Sequence, residues 1–133
     1  MPMKNRRSFI TGLKSKFLSP NEINFLKKYK PWGVILFSRN IETIEQTKKL
    51  TDSIKKIFND KKYPILLDQE GGRINRLSNF IDTSKFTGKF FGDLYKNNFK
   101  KFETYYKIYI LQTCYLMRIL GVNINTVPVL DVK

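Results

Sequence analysis

Short apolar runs punctuate this chain at residues 8–13, 34–37, 65–67 and 127–130, and longer amphipathic stretches separate them. Runs of that length bounded by turn residues read as buried strands. Between the first two, Ser19-Pro20-Asn21-Glu22 is a capping box with proline at the first helical position. The helix it opens carries Ile23, Leu26 and Tyr29 on one face and must stop before Pro31. Thr43 to Gln46 is a second capping box, followed by Ile44, Thr47, Leu50, Ile54 and Ile57 at helical spacing. Residues 59–63 read as a polar turn, and residues 78–97 as a long loop in which Gly88 and Gly92 flank Phe90-Phe91. A long helix is expected over residues 98–120, with Phe99, Phe102, Tyr106, Tyr109, Leu116 and Leu120 facing the core and Gly121 as its cap. The order strand, helix, strand, helix, strand, loop, helix, strand implies parallel pairing through right-handed crossovers, hence an α/β fold.

The third apolar run ends in Asp68-Gln69-Glu70-Gly71-Gly72-Arg73, with Arg76 three residues on. Two glycines without Cβ atoms permit a sharp turn or a close backbone approach. The arginines bring planar donor forks suited to hydroxyl, carboxylate or phosphate groups. The stretch is therefore either a strand-ending turn closed by an internal ion pair or a ligand-binding edge. Arg39 and Asn40 follow the second run and Asp131 ends the fourth, so the last three strands all deliver polar groups at their carboxyl ends. In parallel α/β architectures that edge carries the chemistry. The glycines match neither a dinucleotide-binding fingerprint nor a P-loop.

Composition narrows the options. The chain has 133 residues, 41% hydrophobic and 14% aromatic, enough for one domain with a core. No stretch is long and apolar enough to suggest a membrane span, and no signal-peptide core follows the basic start. The formal net charge of +14 comes largely from lysines scattered over helix surfaces and turns, without a basic arm or an aromatic RNA-binding signature. A solvated basic surface is expected, with neither nucleic acid nor membrane as a partner. The lone Cys114 cannot form an internal disulfide. It sits in a helical pattern and, with no histidine in the chain to activate it, reads as a buried thiol.

Three separated motifs, Pro31-Trp32-Gly33-Val34-Ile35-Leu36-Phe37-Ser38-Arg39-Asn40-Ile41-Glu42, Asp68-Gln69-Glu70-Gly71-Gly72-Arg73 and Pro128-Val129-Leu130-Asp131-Val132, resemble glycoside hydrolase family 3. The likeness is nearest to the cytoplasmic β-N-acetylhexosaminidases of bacterial peptidoglycan recycling and runs over residues 9–132. It implies a partial TIM-type (β/α)8 barrel, roughly its first four parallel strands with their helices, so that residues 1–133 form the N-terminal part of the catalytic barrel. It further implies a retaining, cytoplasmic hydrolase that needs no cofactor or metal and releases terminal N-acetylglucosamine from muropeptide fragments. In this pattern Asp68 hydrogen-bonds sugar hydroxyls and Arg76 lines the substrate site. Arg39, Asn40, Glu70, Arg73 and Asp131 are expected to line the site or hold its motifs, with Glu70 serving motif geometry rather than acid catalysis.

The family's nucleophile, an aspartate, and its His–Asp acid/base are expected beyond Lys133, and the chain contains no histidine. No catalytic residue is assigned within the chain, and alone it is expected to be inactive. The competing reading is a non-catalytic carbohydrate-binding or interaction module that keeps Asp68 and Arg76.

Overall fold

The structure, a computed structural model, describes residues 5–128. Four strands form a single sheet: β1 (Arg7–Gly12), β2 (Pro31–Leu36), β3 (Ile65–Leu67) and β4 (Ile124–Asn125). Their spatial order is β1-β2-β3-β4 and every neighbouring pair is parallel. Helix α1 (Pro20–Tyr29) links the first pair, α2 (Ile44–Ile57) the second, and α3 (Gly88–Asn97) with α4 (Phe99–Ile119) the third.

Sequential order separates two α/β designs. A doubly wound sheet reverses direction and carries helices on both faces, whereas a singly wound barrel places consecutive strands side by side. Here Val34, Leu36, Ile65 and Leu67 share one buried cluster with Leu26 of α1, Leu50 and Ile54 of α2, and Met117 of α4. All of these crossover helices lie on one sheet face. The arrangement is that of consecutive barrel strands, as the sequence reading expects.

Local chemistry sets the boundaries. The Ser19 side chain accepts from the Glu22 amide at 3.2 Å, and the Glu22 carboxylate accepts from the Ser19 amide at 2.9 Å, closing the first capping box. Lys30 then leaves α1 in a left-handed conformation, φ 48°, immediately before Pro31. The second box is displaced by one residue. Thr43 accepts from the Gln46 amide at 3.1 Å, but Gln46 reaches back to the Glu42 amide at 3.0 Å instead of that of Thr43. Its carboxamide nitrogen donates instead to the carbonyls of Lys16 and Asn40, tying α2 to the loop after β1.

Several expectations give way to packing. Residues 88–97 form helix α3 rather than loop: Thr87 caps it, and Phe91 packs against Tyr106 and Tyr109 of α4. Tertiary contact of this kind outweighs the poor helix propensity of Gly88 and Gly92. The aromatic stripe of α4 divides. Leu120 joins the sheet core, whereas Phe99, Phe102 and Tyr106 meet rings of α3 and one another outside it. Tyr63, placed by pattern in a polar turn, is fully buried and donates to the Pro31 carbonyl at 2.8 Å. Ile44 is exposed at the first turn of α2, and Cys114 is exposed rather than buried, because the α4 surface that carries it faces solvent. The described strand β4 lies before the apolar run expected as the fourth strand; of that run Val127 and Pro128 are in no strand, and residues 129–130 lie outside the described residues. Asn123 and Asn125 use their side-chain oxygens to accept from the Ile65 and Gln69 amides, a substitution for backbone pairing that apolar pattern does not signal.

Candidate functional site

Residue parity defines which side chains share the sheet face without helices. Gly12 pairs with Ile35, Ile35 with Leu66, and Leu66 with Ile124. Because side chains alternate along a strand, continuing each strand by two residues puts Phe37, Asp68 and Thr126 on that same face, at the carboxyl edge. The contacts agree with this placement. Thr126 donates to Asp68 Oδ1 at 3.3 Å, and Arg76 Nη2 donates to Asp68 Oδ2 at 3.2 Å. Both Asp68 oxygens are thus directed by a donor, while about a quarter of the side chain stays open to solvent (24%).

Phe37 organises the cations of the edge. The Arg39 guanidinium lies 4.6 Å from its ring centroid and that of Arg76 lies 5.5 Å away, both within cation–π range. Arg39 also donates through Nε to the Leu13 carbonyl at 2.9 Å. Arg76 Nε is buried without a hydrogen-bond partner among the described residues. That cost is accepted only where neighbouring contacts fix the side chain, as the Asp68 ion pair and the Phe37 ring do here.

The stretch after β3 is a built loop. Gly71 has φ +86°, and a Cβ there would lie 2.4 Å from the Phe86 carbonyl oxygen. Gly72, φ +60°, donates through its amide to the Thr83 carbonyl at 2.9 Å. Both glycines are required for the turn and for contact with the chain's own backbone. Gln69, almost fully buried, holds the loop from inside: its nitrogen donates to Asn75 and Thr83, and its oxygen accepts from the Leu77 amide. Tyr109 of α4 donates to the Glu70 carbonyl at 3.2 Å. Burial raises the Tyr109 phenol pKa above its ordinary value, with hydrogen bonds to Thr113 and Gln69 opposing the shift.

Of the residues singled out from sequence, Asp68 and Arg76 come together directly, and Arg39 joins them through Phe37. Asn40 is fully buried and donates to the Leu13 and Ser15 carbonyls, so it anchors the loop after β1. Arg73 points to solvent, and Asp131 lies outside the described residues. Phe37, Gln69 and Thr126 were not foreseen. Phe37 ends an apolar run and reads as core, and Thr126 reaches Asp68 only through the parallel register of β3 with β4.

The chain matches no family model. It is 34% identical over 123 residues to a β-hexosaminidase of Hydrogenovibrio crunogenus, a match covering 92% of this chain and 34% of that protein. It spans about a third or less of the length of the curated relatives it matches. In fold it is similar to NagZ from Neisseria gonorrhoeae, solved in complex with N-trifluoroacetyl-D-glucosamine, with a TM-score of 0.71 and 26% identity over 95% of this chain and 37% of NagZ. The glycoside hydrolase family 3 β-N-acetylglucosaminidase of a Paenibacillus species has the same fold, with a TM-score of 0.71 and 24% identity over 93% of this chain and 23% of that one. Residue matches along nearly all of the chain, the shared strand order and the Asp68 motif leaving β3 agree: the chain belongs to glycoside hydrolase family 3, where it corresponds to the N-terminal part of the β-N-acetylhexosaminidases.

Proposed function

We propose that residues 1–133 form the N-terminal part of the catalytic barrel of a retaining β-N-acetylhexosaminidase, and that the carboxyl edge of their sheet binds the sugar. Asp68 carries this reading. Its carboxylate stands on the helix-free face at the end of β3, oriented by Arg76 and Thr126 and still partly open. An ionised carboxylate accepts hydrogen bonds from sugar hydroxyls, and a guanidinium beside it donates to sugar oxygens. The pair already aligned in the structure needs little reorganisation to do so.

The substrate class follows from the relatives. A bound N-trifluoroacetyl-glucosamine in the NagZ complex supports an N-acetylglucosaminide, with muropeptide fragments of peptidoglycan recycling as the proposed source and the cytoplasm as the proposed location. Among the described residues no helix is long and apolar enough to cross a membrane. Glycosidases of this kind need a nucleophile and an acid/base. No nucleophile or acid/base is assigned among the described residues: Asp68 and Arg76 are assigned to substrate binding, Arg39, Asn40 and Glu70 to the motifs of the edge, and the solvent-exposed Arg73 to lining the site.

Titration of the isotope-labelled chain with N-acetylglucosamine, followed by amide and arginine side-chain NMR, tests the proposal. Shifts centred on Asp68, Arg76 and Thr126 are expected, and they should vanish in Asp68→Ala. Shifts centred elsewhere, or none at these residues, would refute a sugar site at this edge.

A further inference from the structure

The helix side of the molecule holds a second built feature, between α1 and α2. Two adjoining concavities of about 580 and 610 Å³ run between α1 and α2 and share Lys27 and Ile57 in their walls. Together they make one groove. Its floor is apolar, formed by Leu18, Ile23, Leu50 and Ile57, and Phe17 stands at its mouth with 65% of its surface exposed.

Phe17 is exposed on a pinned segment. Asn40 donates to the Leu13 and Ser15 carbonyls, Gln46 to the Lys16 carbonyl, and the Lys14 amide donates to Glu22. A large apolar side chain held in water by a fixed loop contributes nothing to the core, yet it offers contact area with little ordering cost to a binding partner.

The rim is cationic. Lys27, Lys49 and Lys56 all line the first concavity, and Lys27 and Lys30 the second. The nearby carboxylates are already committed: Glu22 to the α1 cap, Glu45 to Lys49, Asp52 to Lys48 and Asp60 to Arg6. The ion pairs of α2, Lys48–Asp52 and Lys49–Glu45, involve other lysines. Cations in the last turn of a helix interact favourably with its dipole, which accounts for a lysine at the end of α1 and of α2. It does not account for their lining the same apolar concavity as an exposed phenylalanine.

We propose that the α1–α2 groove is a docking site for an acidic amphipathic segment of a partner protein. Its apolar side chains would cover Phe17 and Ile57, and its carboxylates would pair with Lys27 and Lys56. Apolar anchors in a groove with complementary rim charge are the usual terms of helix-in-groove recognition.

Fluorescence polarisation tests this with a labelled peptide of about 12 residues that carries leucines on one helical face and glutamates on the other. Two controls accompany it: the same peptide with serines for leucines, and a short single-stranded DNA. Saturable binding of the leucine peptide is expected, about fivefold or more tighter than the serine control. Phe17→Ala and the double variant Lys27→Glu with Lys56→Glu should each weaken it about fivefold or more. Both variants change exposed positions, and circular dichroism confirms that they fold. Equal binding of the leucine and serine peptides, tighter binding of the DNA, or indifference to either variant would overturn the proposal. Sugar titration at Asp68 is independent of all these outcomes.

Discussion

Arg76 and Asp68 meet at 3.2 Å across the carboxyl edge of the sheet, each with 24% of its side chain exposed. They lie eight positions apart in sequence, and it is the Gly71-Gly72 turn between them that folds the arginine back. Partial burial places the pair between the near-neutral surface ion pair and the costly buried one. A double-mutant cycle of Asp68→Ala and Arg76→Ala in urea should give a coupling of about 1 kcal/mol. A coupling near zero would mean that Thr126 and Phe37, not the ion pair, hold these side chains.

Glycines of two kinds should respond oppositely to alanine. Gly71 is left-handed, and its added Cβ would meet the Phe86 carbonyl oxygen at 2.4 Å, so Gly71→Ala should cost about 2 kcal/mol or more and loosen the loop. Gly92 lies within α3 with nothing within 4 Å of an added Cβ, so Gly92→Ala should stabilise by about 1 kcal/mol. Thermal unfolding of the two variants checks the opposite signs.

Tyr63 should titrate late. Burial pushes its phenol up to about 12, although the neighbouring Arg6 pulls the other way. An acid whose folded pKa exceeds its unfolded value near 10 keeps its proton in the fold and loses it on unfolding. Its contribution to stability is complete below pH 10 and declines as pH rises from there to about 12. Tyr63→Phe should remove this part of the alkaline loss. It should also cost about 1 kcal/mol at neutral pH, because the 2.8 Å bond to the Pro31 carbonyl goes. Urea unfolding of both proteins at pH 7 and at alkaline pH compares the two slopes.

The α1 cap gives an acid-side counterpart. Partial burial of Glu22 acts to raise its pKa, but hydrogen bonds from Lys14 and Ser19 prevail and hold it below the ordinary carboxylate value. A depressed folded pKa contributes stability above the unfolded value, and that contribution is lost as pH falls through the folded one. Ser19→Ala should therefore cost about 1 kcal/mol near neutrality and less at low pH, where Glu22 is protonated and the box is already weakened. Urea midpoints across the acid range would show the two curves converging, and a constant gap would contradict the reciprocal box.

Much of the architecture was legible before any coordinates. Ser19, Pro20 and Glu22 state where α1 begins, Pro31 where it must have ended, and the period of Thr47, Leu50 and Ile54 which face of α2 is buried. These signals act within a few residues, through backbone hydrogen bonds and the geometry of one helix turn, so local sequence suffices. The strand-ending turn closed by an internal ion pair was legible too, in the glycines and charged residues crowded after β3, and the Asp68–Arg76 pair forms it. The sequence could not show that Phe90 and Phe91 belong to a helix, because what supports α3 is the distant aromatic face of α4.

Sequence by itself determined β1 to β3, α1, α2 and α4, the parallel strand order and the chemistry available at the sheet edge, because each depends on short-range pattern. Only the tertiary structure decided which of those groups meet. Asp68 finds Thr126 through strand register, Arg76 reaches Asp68 through a glycine turn, and Phe37 gathers two arginines because β2 ends beside β3. Such meetings depend on the packing of segments far apart in the chain, and no local spacing encodes that distance.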